Sequence, residues 1–204
     1  EGTANYEGVE PYQPEWIGLD YGARVAEAKA IMEGLGYTAE SPLPVQLKYN
    51  TNDNHQRIAV AISSMWEQIG VKTELFNSET AVHYDALRAG EIGRAGWLLD
   101  YSDPSNTLDL LRSGIEQEGT MNWGNNYGRY SNEEFDTLMD QATTEQDLVA
   151  RAAMLAEAEK IAMDETGAIP IYWYIAQNVV APSITGFVSN ASDIHRTRWL
   201  SKAE

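Results

Sequence analysis

The sequence predicts an α/β fold, a mixed sheet flanked by helices. Residues 45–49 and 71–76 alternate apolar and polar as strands do, and each is followed by a longer stretch with helical spacing. Gly and Pro punctuate the short connections between them. A third apolar segment, residues 92–99 around Trp97, completes a strand–helix–strand–helix–strand order. Such an order builds a parallel or mixed sheet covered by helices.

Residues 1–20 carry Glu1, Glu7, Glu10, Glu15 and Asp20 with Pro11 and Pro14 and no basic residue, which marks an acidic arm. From residue 23 to 34, Val25, Ala28 and Met32 share a helical face, with Gly34 or Gly36 as the stop. Pro42 and Pro44 introduce the first strand. Asp53 is the expected cap of the next helix, with Ile58, Ile62, Met65, Trp66 and Ile69 on one face and Gly70 at its end. A helix over 78–89 closes at Gly90.

The second half changes character. Asp103-Pro104 reads as the cap and first residue of a short helix, and the Gly- and Asn-rich residues 114–130 as a loop. Ser131 to Glu134 form an expected capping box, and Asp147 caps a longer helix with Leu148, Ala152, Leu155, Ala158 and Ala162 inward. Residues 169–175 and 179–180 read as strands.

Composition narrows the function. The 204 residues hold 14 Lys+Arg and 31 Asp+Glu, a formal charge of −17. That balance excludes nucleic acid as the main partner, because phosphate binding needs cations to displace counterions, and it disfavours an anionic membrane surface. The absence of Cys removes disulfide scaffolds, Cys–zinc sites and thiol nucleophiles. No apolar run reaches the ~20 residues of a membrane span. The opening residues lack the basic and apolar regions of a signal peptide, so a mature or truncated start is expected. Residues 131–165 concentrate ten acids against Arg151 and Lys160, most simply as solvated helix faces. No calcium-loop pattern occurs there, so no metal and no cofactor is expected.

No nucleophile elbow, zincin motif, phosphate loop or dinucleotide fingerprint occurs, and His55, His83 and His195 lie far apart. A paired-carboxylate glycosidase stays open as an alternative, since carboxylates are plentiful. The segment 93–104 is more informative. Asp103 has a structural task before Pro104, whereas Asp100 ends an apolar stretch at the carboxyl end of an expected strand, the end that faces ligands in open α/β sheets. A carboxylate there suits a ligand cation, with Trp97 or Tyr101 for cation–π support. A turn Asp satisfying its own loop is the competing explanation. Arg94 suits a ligand carboxylate or a surface ion pair. His55, in the first turn of a helix, suits an anion or plain solvation. Arg88 most simply complements a helix C-terminus. Five of the seventeen Trp and Tyr residues fall within 97–130, which suits a ligand surface or a dense core equally. From the residues alone, an acidic α/β binding lobe of open ligand identity follows.

Several strings occur together in order: Tyr-Gln-Pro-Glu-Trp (12–16), Tyr-Asn-Thr-Asn-Asp-Asn-His (49–55), Arg-Ala-Gly-Trp-Leu-Leu-Asp-Tyr (94–101), Asp-Pro-Ser-Asn (103–106), Tyr-Ser-Asn-Glu-Glu-Phe-Asp (130–136), Ile-Pro-Ile-Tyr-Trp-Tyr (169–174) and Asp-Ile-His-Arg-Thr-Arg (193–198). The combination resembles the C-terminal part of the periplasmic oligopeptide-binding proteins of peptide ABC transporters, the peptide/nickel solute-binding family. The resemblance implies one lobe of a two-lobed periplasmic-binding-protein type II fold, with residues 21–181 as the lobe and 182–204 returning toward the other. It implies a non-enzymatic, monomeric, periplasmic protein that encloses an extended peptide between hinged lobes and delivers it to permease subunits. Asp100 then pairs with the peptide ammonium, while Arg94 and His55 take part in carboxylate recognition. Arg88 matches a further Arg, although this chain is about two residues shorter than the family pattern between Arg88 and Arg94. Dipeptides, nickel, opines and oligosaccharides are the alternative ligands within the family.

Overall fold

The computed structural model describes residues 10, 12–190 and 193–203; Glu1, Glu7 and Pro11 of the expected arm lie outside the described residues. Helix α1 (Tyr21–Gly34) starts where the Asp20 carboxylate accepts the Ala23 amide at 3.0 Å. Strand β1 (Leu43–Asn50) and strand β2 (Val71–Ser78) pair in parallel, with Leu43 opposite Val71 and Asn50 opposite Ser78. Helix α2 (Asp53–Glu67) makes the crossover between them. Its cap is Asn52 rather than Asp53: the Asn52 amide oxygen accepts from the amides of Asn54 and His55 at 2.9 and 3.3 Å. Asn52 wins because it is the last extended residue, and only the last extended side chain can reach back to the first-turn amides. Met65 is exposed, and Ala59 is the buried residue of this helix, packed with Leu47 and Tyr49.

The chain is α/β, with parallel and antiparallel strand pairs flanked by helices, but among the described residues the pairs form three separate two-stranded sheets. Helix α3 (Thr80–Arg88) follows β2 and buries His83 and Leu87, four residues apart. The expected third strand over 92–99 reduces to one parallel bridge between Gly93 and Lys48. Two hydrogen bonds make it, Lys48 N–H to Ile92 O and Arg94 N–H to Lys48 O, both 3.0 Å. Beyond Arg94 no further pairing with β1 forms among the described residues, so the apolar residues there join no ladder.

Short helix α4 (Ser105–Leu108) begins one residue later than expected, yet Asp103 still caps it, accepting the Ser105 amide at 2.9 Å. The expected loop 114–130 contains a hairpin, β3 (Ile115–Gln117) with β4 (Thr120–Asn122). Buried Asn126 ties this region together by donating to Arg112 O and Tyr130 O, both at 2.8 Å, and accepting from the Tyr130 amide. Helix α5 (Glu133–Thr144) is capped by Asn132, not by Ser131, because the Asn132 oxygen takes the Phe135 amide at 2.9 Å. Helix α6 (Leu148–Asp164) is capped by Asp147, as expected. Side-chain caps of this kind contribute about 1 kcal/mol each.

The larger core lies between α5 and α6. Phe135, Met139 and Ala142 face Leu155, Ala158 and Ala162, with Leu108 of α4 closing one side. Alanines on α6 let the two helices approach closely, and full burial of a side chain such as Phe135 contributes roughly 1.5–3 kcal/mol. Residues 169–175 and 179–180 are not strands. Among the described residues no strand lies alongside them, so their backbone has no ladder to join. Trp173 is 82% and Val179 fully exposed. The last pair, β5 (Ile184–Thr185) with β6 (Ser201–Lys202), closes the C-terminal segment. No described helix is long and apolar enough to cross a membrane.

Candidate functional site

The segment from Gly93 to Asn106 carries most of the candidate residues. Its start is fixed by close backbone packing. A Cβ on Gly93 would meet Lys48 O at 2.9 Å and Leu87 Cδ2 at 2.7 Å, so only glycine lets this stretch lie against β1 and α3. A Cβ on Gly96 would meet the Tyr174 hydroxyl at 2.6 Å, which shows how tightly residues 172–174 cross over the segment.

Arg94 is buried, at 5% exposure. Its guanidinium donates to the hydroxyls of Tyr172, at 3.2 Å, and Tyr174, and the Tyr174 ring centroid lies 5.7 Å from the guanidinium carbon. Its Nε has no hydrogen-bond partner among the described residues. This is not an ordinary surface ion pair. Burial and the Arg94 guanidinium raise the cost of charging His55, so the His55 pKa falls below the usual imidazole value. The His55 ring is fixed by Nδ1–H donation to Asn50 Oδ1 at 2.7 Å, so its neutral form presents Nε2 as an acceptor.

His83, which no sequence pattern singled out, belongs to the same cluster. It is fully buried, and its Nε2–H donates to Arg94 O at 2.8 Å. Its Nδ1 has no partner among the described residues. Burial lowers its pKa first; the hydrogen bond to Arg94 O opposes this, and the Arg94 and Lys48 charges add to the lowering. The Tyr84 ring packs edge-on against the His83 ring. Because the folded state holds both His55 and His83 below their unfolded values, the unfolded chain binds more protons between the two values. Stability is therefore complete above pH about 6.5 and declines as the pH falls from there through the lowered folded-state values. Urea titrations from pH 7.5 to 5 are expected to show this decline, and His83→Asn to blunt it; an equal decline in the variant would exclude His83 as a source.

Trp97, Asp100 and Tyr101 stand on the irregular stretch that follows. Trp97 is 37% and Tyr101 49% exposed. Asp100 is exposed, and no hydrogen bond or ion pair engages its carboxylate among the described residues. Its backbone amide donates to Asn106 Oδ1 at 3.2 Å, and the Trp97 indole N–H donates to the same oxygen at 2.9 Å. Asp103 is buried and pairs with Arg151 of α6 through two bonds of 2.7 and 3.0 Å.

The structure thus gathers Arg94 and His55, and separately Trp97, Asp100 and Tyr101 on one stretch. Arg88 is not drawn into either group: it is exposed at the C-terminus of α3 and pairs with Asp85 at 3.0 Å. Sequence reasoning missed His83, Asn106, Tyr172 and Tyr174. The i, i+4 pairing of His83 with Leu87 and the i, i+2 pairing of the two tyrosines were the available signals. Among the described residues no three His, Asp or Glu side chains gather as a metal site requires.

Residues 2–119, a span that holds all six candidate site residues, match the family described as bacterial extracellular solute-binding proteins, family 5 Middle. The periplasmic murein peptide-binding protein MppA of Escherichia coli (strain K12) is 36% identical over 86% of this chain and 32% of its own length. The oligopeptide-binding protein OppA of Bacillus subtilis (strain 168) is 40% identical over 77% of this chain and 28% of its own length. Among solved structures, the E. coli murein tripeptide binding protein MppA superposes with a TM-score of 0.82 at 31% identity, over 100% of this chain and 39% of that chain. Haemophilus influenzae OppA, solved in complex with the peptide RPPGFSPFR, superposes at 0.77 and 29% identity over 95% of this chain and 37% of that chain. The chain therefore spans about a third of the length of these curated relatives, which are binding proteins. This chain belongs to the bacterial extracellular solute-binding proteins of family 5.

Proposed function

We propose that this chain is the C-terminal lobe of a periplasmic protein that captures oligopeptides between two hinged lobes and hands them to the permease subunits of an ABC transporter. Residues 21–181 form the lobe, 1–20 an acidic arm, and 182–204 the segment that returns toward the other lobe. The protein acts as a monomer and catalyses no reaction. The observation that carries the reading is Asp100, an exposed carboxylate engaged by no described side chain, on the same stretch as Trp97 and Tyr101. A peptide ammonium is its natural counterpart: a charge-assisted bond to the carboxylate, with the aromatic faces adding cation–π attraction.

Arg94 and His55 supply the opposite polarity. Arg94 cannot lose its charge, and its unpartnered Nε is a donor in reserve. A carboxylate placed between the two would favour the charged imidazole, opposing the burial and the Arg94 charge that lower the His55 pKa. Arg88 would have to exchange Asp85 for the ligand. The relatives' own names, murein peptide- and oligopeptide-binding, support a peptide over a sugar or nickel. Calorimetry of the full-length protein against trialanine and a panel of oligosaccharides tests the reading. Peptide binding is expected; a protein that takes the sugars and no peptide overturns it.

A further inference from the structure

Asn106 serves two donors with one oxygen. We infer that Asn106 is the positioning residue of the ammonium site, setting the Trp97 ring and the Asp100 main chain relative to each other through its amide oxygen; this rests on the ammonium role proposed for Asp100. The indole N–H and the main-chain N–H are donors only, so the amide group must present its oxygen to both. The two distances, 2.9 Å from Trp97 Nε1 and 3.2 Å from Asp100 N, fit one oxygen using both lone pairs.

The support beneath Asn106 is rigid. The residue is 6% exposed and sits on α4. Next to it, Leu108 enters the α5–α6 core, and Asp103 is clamped bidentately by Arg151 of α6. By contrast, residues 94–100 belong to no strand or helix and make no sheet ladder beyond the Gly93 bridge. A binding segment without its own ladder depends on side chains for its geometry. Asn106 transmits the fixed position of α4 to it, and so removes in advance the ordering cost that a ligand would otherwise bear. It touches no ligand itself. Its effect falls on the aromatic and acidic groups that together recognise a cation, so it controls the preference for a free over a blocked peptide amine.

The test compares trialanine with N-acetyl-trialanine by calorimetry on the full-length protein. Wild type is expected to prefer the free peptide. Asn106→Leu, which removes the acceptor and strands both donors, is expected to weaken trialanine roughly ten- to a hundredfold while barely changing the acetylated peptide. Asn106→Asp, which retains an oxygen at the same place, is expected to restore the preference. A merely structural role would lower both affinities together and leave their ratio untouched. An unchanged ratio in folded Asn106→Leu overturns the inference and spares the ammonium reading; a wild-type ratio near one overturns both. Should Asn106→Leu fail to fold, Asn106→Ala carries the same comparison without added bulk.

Discussion

Asp103→Ala is expected to lower the unfolding free energy by about 3–5 kcal/mol, the range for removing one partner of a buried ion pair. The exposure of the two side chains, 10% for Asp103 and 17% for Arg151, takes the pair out of the surface class, whose members contribute ~0–1 kcal/mol. Both oxygens of the carboxylate are engaged: Oδ2 accepts from Arg151 at 2.7 Å, and Oδ1 accepts from Arg151 at 3.0 Å and from the Ser105 amide at 2.9 Å. The guanidinium cannot simply swing out to water, since its Nε also donates to Ala142 O at 3.0 Å. Its bond to Asp103 is the main reason its pKa rises above the ordinary value, against the opposing effect of burial. Removing the carboxylate therefore leaves a desolvated cation and an uncapped α4. Replacing both partners, Asp103→Leu with Arg151→Leu, should cost less than Asp103→Ala alone, because no unpaired charge remains. Urea unfolding of the full-length protein measures both; a loss under about 1 kcal/mol for Asp103→Ala would return the pair to the surface class.

Asp100→Ala is expected to act on binding and leave folding nearly unchanged. Its carboxylate is exposed and engages no described partner, so the stability change should stay within about 0.5 kcal/mol. In the proposed ligand-enclosed state the same carboxylate would face the peptide ammonium across a desolvated contact. Truncating one partner of such a pair costs roughly 2–5 kcal/mol, about thirtyfold to several thousandfold in affinity. Trialanine calorimetry on the full-length protein reads this directly. Asp100→Asn should lose most of the same affinity, since it keeps the shape and removes the charge. Wild-type affinity in Asp100→Ala would remove Asp100 from the ligand site.

Much of the fold was legible because its signals are local. The caps Asp147 and Asp103 and most of the apolar faces of α5 and α6 depend on residues within one or two turns, and the structure keeps them. Leu148, expected inward, is instead 63% exposed, because it opens the first turn of α6 ahead of the part packed on α5. Expectations failed where partners decide. Residues 92–99 and 169–175 have strand-like sequences, but a strand exists only beside another, and pairing is set by where the chain returns in space. The cap errors at Asp53 and Ser131 are smaller: each misplaced by one residue the last extended position before a helix.

The site divides in the same way. Sequence alone assigned Asp103 a local structural task, because an N-cap is satisfied by amides two or three residues away, and left Asp100 between a ligand group and a turn residue satisfying its own loop. It also determined the acidic charge and the absence of thiol chemistry, which are counts and need no geometry. Only the tertiary structure decided that Arg94 is buried under Tyr172 and Tyr174, seventy-eight and eighty residues distant in sequence, that His83 holds its carbonyl, and that Asn106 joins Trp97 to Asp100. The reason is physical. Hydrogen bonds between distant residues cost chain entropy that no local pattern records, and they form only where packed helices and paired strands have already fixed both ends.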